Sequence, residues 1–89
     1  MGQWAGRRAA ALRAATLAEY GDICHLCGRP GATTADHLIP RSKGGPDSLD
    51  NLRPAHHSCN SARGAQPLAD WRAQRAARRA PQLAPSRKW

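Results

Sequence analysis

The chain predicts a small α+β fold held together by a structural metal and flanked by a helix at each end. Three observations point there. Two matched ligand pairs, Cys24-x-x-Cys27 and His56-x-x-Cys59, stand at the two ends of a central stretch. Along the chain the composition passes from alanine-rich before the first pair to short β-branched and glycine-proline segments between the pairs, then returns to helix formers after the second. The 89 residues hold no Phe, one Tyr and three Trp within an apolar content of 40% that is dominated by alanine. A chain so short and so poor in large apolar side chains sits near the lower limit for a self-sufficient core, so a metal staple is expected. Residues 1–89 are accordingly read as one domain.

Trp4 to Tyr20 reads as an N-terminal helix: Leu12, Leu17 and Tyr20 give a modest apolar stripe on an alanine-rich segment, and Gly21 stops it. Cys24 to Gly28 is a tight turn, with Gly28, Pro30 and Gly31 marking a loop. Thr33 to Ile39 carries β-branched residues and predicts a short strand that Pro40 ends. Arg41 to Pro46 is a polar loop in which Gly44-Gly45 permits a sharp reversal or a close approach. Asn51 to Pro54 predicts a second strand, and His57 to Arg63 a helix closed by Gly64. Pro67 then opens a basic helix over 67–80, docked through Leu68 and Trp71, with Arg72, Arg75 and Arg79 on one face. Residues 81–89 are expected to form a disordered tail.

The net charge of +8 points to a polyanionic partner. Seven basic residues between Arg63 and Lys88 stand against one acid, Asp70, so the excess follows directly on the motif segment. A solvated, solubilising face is the competing reading; the position next to the motifs favours nucleic acid. Three cysteines suit a disulfide framework poorly, since one thiol is left over. The segment from Trp4 to Leu17 is broken by Arg7, Arg8 and Arg13, and no apolar run approaches the roughly 20 residues that span a bilayer. A reducing, cytoplasmic setting without a membrane partner is expected, where cysteines bind metal or catalyse more often than they crosslink.

Cys24 and Cys27 place two thiolates on one turn, and His56 and Cys59 complete a tetrahedral Cys₃His set suited to Zn²⁺. Four protein ligands leave no open position, so this zinc is structural. His57 competes for the fourth place; the spacing of His56 to Cys59, which mirrors that of Cys24 to Cys27, favours His56. His25, inside the first pair, is expected to be an exposed loop residue. A redox dithiol at Cys24 and Cys27 would need a thioredoxin-like βαβ context that this chain lacks.

A second set of polar residues, Asp36, His37, Asn51 and Asn60, has Arg41, Lys43, Arg53 and Arg63 around it. Adjacent strand residues point to opposite sides, so Asp36 and His37 are expected to do different work. Histidine suits proton abstraction from water near neutral pH, and carboxylate and amide oxygens suit Mg²⁺. A base, a hard-cation site and a cationic surround are what phosphodiester hydrolysis needs. On chemistry alone, a pair that merely hydrogen-bonds a turn would fit Asp36 and His37 as well.

The run Asp36-His37-x-x-Pro40, Gly44-Gly45, Leu49-x-Asn51-Leu52-x-Pro54 and His56-x-x-Cys59-Asn60-x-x-Arg63-Gly64 resembles the HNH endonuclease family. The likeness covers about half of the chain, residues 24–64, and leaves both terminal helices outside. It implies a ββα-metal (HNH) finger braced by the zinc knuckle. It also implies His37 as the general base that activates water and Asn51 as the residue that orients it and shapes the loop. Asp36 and Asn60 would hold a catalytic Mg²⁺ or Mn²⁺. His56 departs from the cysteine that relatives commonly carry at the third zinc position. Arg41, Lys43 and Arg63 are candidate phosphate clamps, and Arg72, Arg75 and Arg79 candidate DNA contacts.

The resemblance thus implies a DNA endonuclease leaving 5′-phosphate and 3′-hydroxyl ends, acting on double-stranded DNA with little intrinsic sequence preference. The alternative is a zinc-containing DNA-binding module without catalysis. The resemblance also allows a larger assembly as partner, such as a phage packaging machine, where small free-standing proteins of this family occur, or a restriction complex.

Overall fold

The computed structural model describes the backbone of residues 6–83 and the side chains of residues 6–77. Helix α1 spans Gly6–Tyr20, strand β1 Thr34–His37, strand β2 Leu52–Ala55, helix α2 His57–Arg63 and helix α3 Leu68–Leu83. Two short 3₁₀ turns, Arg41–Lys43 and Leu49–Asn51, lie in the connection between the strands. The result is an α+β arrangement with an antiparallel pair whose register sets Thr34 opposite Ala55, Ala35 opposite Pro54, Asp36 opposite Arg53 and His37 opposite Leu52. Trp4, expected to open the first helix, and residues 84–89 of the expected tail lie outside the described residues.

Alanine, arginine and leucine make α1 a good helix, and it packs on both strands. Ala9 and Thr16 are its buried positions, and the Thr16 hydroxyl satisfies itself by donating to the Leu12 carbonyl at 2.6 Å. Gly21, at φ 85°, ends the helix and donates its N–H to the Leu17 carbonyl at 2.9 Å. The Tyr20 hydroxyl donates to the Leu49 carbonyl at 3.1 Å while Arg53 stacks 4.3 Å from the Tyr20 ring centre, tying the end of α1 to the sheet.

The end of β1 and the start of β2 differ from their expected positions for one reason. The Asn51 carboxamide accepts the Ile39 N–H at 3.0 Å and donates to the Ile39 carbonyl at 3.2 Å. Leu38 and Ile39 are thereby drawn out of the strand, so β1 ends at His37, and Asn51 closes a 3₁₀ turn before β2 begins at Leu52. Pro54 is tolerated in a two-stranded sheet, where its missing N–H faces no third strand among the described residues. The helix expected over 67–80 runs on to Leu83, through Pro81, so three residues of the expected tail are helical.

The buried cluster consists of Cys24, Leu26, Ala32, Ala55 and Trp71, with Leu17, Cys27, Cys59 and Leu68 packed against it. Trp71 anchors the start of α3 in this cluster and its indole N–H points at the Leu26 carbonyl, 3.5 Å away. Three of these nine residues are the zinc-knuckle cysteines, so the metal site and the apolar core are one structure. Among the described residues no helix is long and apolar enough to cross a membrane.

Candidate metal and catalytic centre

Cys24, Cys27, His56 and Cys59 come together with their ligand atoms all within 4.8 Å of one another. The turn at Cys24 is stitched by Gly28 N–H to Cys24 carbonyl at 2.8 Å and by Cys24 N–H to Arg29 carbonyl at 2.8 Å. His56 Nδ1 lies 3.3 Å from Cys27 Sγ and 3.8 Å from Cys59 Sγ. Its Nε2–H donates to the Pro30 carbonyl at 2.9 Å, which puts the lone pair on Nδ1, facing the sulfurs. His57, the rival fourth ligand, is exposed at the first position of α2. Three sulfurs and one oriented imidazole fit Zn²⁺, a closed site that supplies stability rather than chemistry.

Burial pushes the Cys24 thiol up, but N–H groups of His56, Cys27 and Leu26, with the Cys27 thiol, outweigh it and bring the group down to about 7. The His56 N–H lies 3.4 Å from Cys24 Sγ. Burial together with the neighbouring Cys27 and Cys24 sulfurs pushes Cys59 up to about 11. Thiolates crowded in this way repel one another until a cation joins them.

A separate cleft of about 210 Å³ is lined by Ala35, Asp36, His37, Pro40, Arg41, Ser42, Asn60, Gly64 and Ala65. Asp36 and His37 therefore border one cleft, although strand alternation alone would separate them; β1 ends at His37, and the chain turns there. Asn60 comes from α2, and its Nδ2 donates to the Ala35 carbonyl at 3.4 Å, leaving the carboxamide oxygen for a cation. One carboxylate, one carboxamide oxygen and room for waters fit a hard divalent cation such as Mg²⁺ or Mn²⁺.

His37 is buried, and its Nε2 lies 2.8 Å from Asp47 Oδ1, which also takes Arg41 Nε at 3.1 Å. The bond from His37 holds the Asp47 carboxyl below its ordinary range; burial opposes this, and the charges of Arg41, His37 and Arg8 reinforce it. Asn51 stands behind the cleft. Its Nδ2 donates to the Ile39 carbonyl and, at 3.0 Å, to the Pro46 carbonyl, so one side chain holds both ends of the Pro40–Pro46 loop. Gly45 packs so tightly inside this loop that a Cβ would lie 1.8 Å from the Ile39 carbonyl oxygen.

Arg63 is not a phosphate clamp. Its side chain is 0% exposed, with Nη1 on Asp36 Oδ2 at 2.6 Å and on the His37 carbonyl at 2.7 Å. Nη2 donates to the Leu38 carbonyl at 2.8 Å and Nε to the Gln66 carbonyl at 2.9 Å, so all three guanidinium nitrogens are engaged inside the protein. His25 is not an exposed loop residue either: only 13% of its side chain is accessible and its Nε2 lies 2.8 Å from Asp36 Oδ2. Lys43 is exposed on the loop, outside the cleft lining. Arg72 is exposed on α3, and Arg75 stands 5.9 Å from the Trp71 ring centre beside the zinc ligands. The side chain of Arg79 lies outside the described residues.

Spacing along the chain does not reveal the roles of Asp47 and His25 or the inward direction of Arg63. For Asp47 a signal existed: the chain has six acids against fourteen Lys and Arg, and this one sits in a cationic loop. Residues 24–66 match the family model described as HNH endonuclease. The match runs from the first zinc cysteine past Arg63 and takes in both sites. The chain thus carries an HNH endonuclease domain with a Cys₃His metal-binding group as its brace, and α1 and α3 stand outside the matched stretch. No curated protein and no solved structure matches the chain.

Proposed function

We propose that the protein is a metal-dependent endonuclease that hydrolyses DNA phosphodiester bonds, leaving 5′-phosphate and 3′-hydroxyl ends. The observation that carries this is the single cleft bordered by His37, Asp36 and Asn60, with Arg41 at its rim. Asp47, held ionised, accepts the His37 Nε2–H, so the ring is fixed with its lone pair on Nδ1, the nitrogen that takes a proton from water. The same carboxylate stabilises the imidazolium that results. Asp36 and Asn60 would hold Mg²⁺ or Mn²⁺, which when bound neutralises charge on the phosphate and the leaving 3′ oxygen. Arg41 and Lys43 on the loop offer cations to the flanking phosphates, with Arg72 and Arg75 further along the surface. Contacts of this kind grip the backbone without reading sequence, and affinity should fall steeply with salt.

A plasmid-nicking assay with Mg²⁺ or Mn²⁺ tests the reading. Nicking that His37→Ala abolishes supports it; no metal-dependent cutting by the zinc-loaded wild type, or undiminished cutting by His37→Ala, overturns it in favour of a non-catalytic DNA-binding module.

A further inference from the structure

We infer that His25 couples the zinc brace to the catalytic cation by fixing the carboxylate of Asp36. The inference rests on the reading of Asp36 as a cation ligand and extends it to a residue that touches neither metal. His25 sits between Cys24 and Cys27, so its backbone is placed by the knuckle turn. Its N–H donates to the Pro54 carbonyl at 2.9 Å, and Pro54 stands opposite Ala35 in the sheet, one step from Asp36. From there the ring reaches Asp36 Oδ2 at 2.8 Å.

Asp36 Oδ2 therefore takes two donors, His25 Nε2 and Arg63 Nη1. Oδ1 takes no hydrogen bond among the described residues and is the oxygen left to the cleft. His25 itself is not part of the cleft lining, which makes it a support behind the carboxylate rather than a ligand. The terminal torsion of an aspartate is broad and roughly two-fold, so a carboxylate held at one oxygen by one donor turns easily. Two donors converging on that oxygen from α2 and from the knuckle fix the plane, and with it the direction in which Oδ1 faces. Supports of this kind behind a ligand typically change metal affinity about 10–100-fold. Because zinc fixes the Cys24–Cys27 turn, it fixes His25, and through His25 the cation ligand.

The test is a Mn²⁺ titration of the zinc-loaded full chain followed by electron paramagnetic resonance, for wild type, His25→Ala and His25→Gln. The expected result is a loss of about tenfold or more in Mn²⁺ affinity for His25→Ala, partly restored by the N–H donor of glutamine, with zinc content and melting temperature close to wild type. Should His25→Ala fail to retain zinc, His25→Leu fills the site without a donor and carries the same comparison. Unchanged Mn²⁺ affinity in a zinc-retaining His25→Ala or His25→Leu overturns the coupling alone. Wild type that binds no Mn²⁺ sensitive to Asp36→Asn overturns the cation site and the coupling together.

Discussion

Arg63, sealed at the end of α2, donates to Asp36 Oδ2 at 2.6 Å and, through the same nitrogen, to the His37 carbonyl at 2.7 Å. One guanidinium thereby locks the helix that carries Asn60 against the strand that carries Asp36 and His37. Removing one partner of a buried pair leaves an uncompensated charge, so Arg63→Ala should destabilise by about 3–5 kcal/mol in chemical denaturation. Arg63→Lys should recover little, since an ammonium cannot serve carboxylate and carbonyls in a planar fork. The salt dependence of DNA binding measured on residual folded protein should not change, because this charge never meets the phosphates.

Asp47 should govern turnover more than binding. Asp47→Ala is expected to lower kcat by about 10²-fold while DNA affinity and zinc content stay near wild type, and Asp47→Asn should fall between, keeping an acceptor for His37 but not the charge. Steady-state kinetics on a short duplex separates kcat from KM. Equal loss in binding would show that the loop, not the base, was damaged.

The depressed Asp47 carboxyl also fixes the sign of a pH effect. Its contribution to stability is complete above the ordinary carboxylate range and fades as pH falls through the lowered value, because the unfolded chain binds the proton first. Melting temperatures followed from about pH 6 down to 2 should drop less steeply in Asp47→Ala than in wild type.

Zinc removal should unfold the chain rather than merely loosen it. Cys24 is wholly buried, and three of the knuckle residues belong to the apolar cluster, so chelation removes core and crosslink together. Structural zinc in small domains contributes apparent free energies of about 10–16 kcal/mol, more than a core of this size can replace. Circular dichroism during titration with a strong chelator should show helix loss tracking zinc release. Cys24→Ser should behave as the chelated protein does.

Gly45→Ala isolates the loop. The added Cβ would meet the Ile39 carbonyl oxygen at 1.8 Å and Asn51 Nδ2 at 3.0 Å, so the clamp that Asn51 makes across the loop must open. Nicking should fall by about tenfold or more with zinc content unchanged, since a small misplacement of catalytic groups is enough for such a loss. Nuclear magnetic resonance shifts confined to residues 38–51 would locate the damage.

What could be read in the chain beforehand was local. The ligand pairs announce themselves by spacing, α1 by its alanines and Gly21, and α2 by its place after His56. The strand ends were not legible, because the Asn51 side chain draws Ile39 away by a contact twelve residues distant. Asp47 and His25 escaped for the same reason: their partners His37 and Asp36 lie ten and eleven positions away, and only closure of the loop and the knuckle brings them together. Arg63 was misread because arginine in a basic chain suggests an outward charge, whereas burial depended on carbonyls that β1 frees as it ends.

The knuckle also bears on the order in which the molecule assembles. Cys27 and His56 are 29 residues apart, and Asp36, His37, Asp47 and Asn51 all lie within the loop that the ion closes. Closing a flexible loop of that length costs about 3 kcal/mol of chain entropy, which a small core repays poorly before the metal arrives. Capture of zinc should therefore be the committing step of folding, with the cleft of Asp36, His37 and Asn60 formed afterwards inside an already tethered chain. Refolding rates that rise with free zinc, and become independent of it once zinc is saturating, would reveal that sequence. A newly made chain that has not met zinc would then lack its cleft and stand open to proteases, so metal supply at synthesis would set how much folded protein exists.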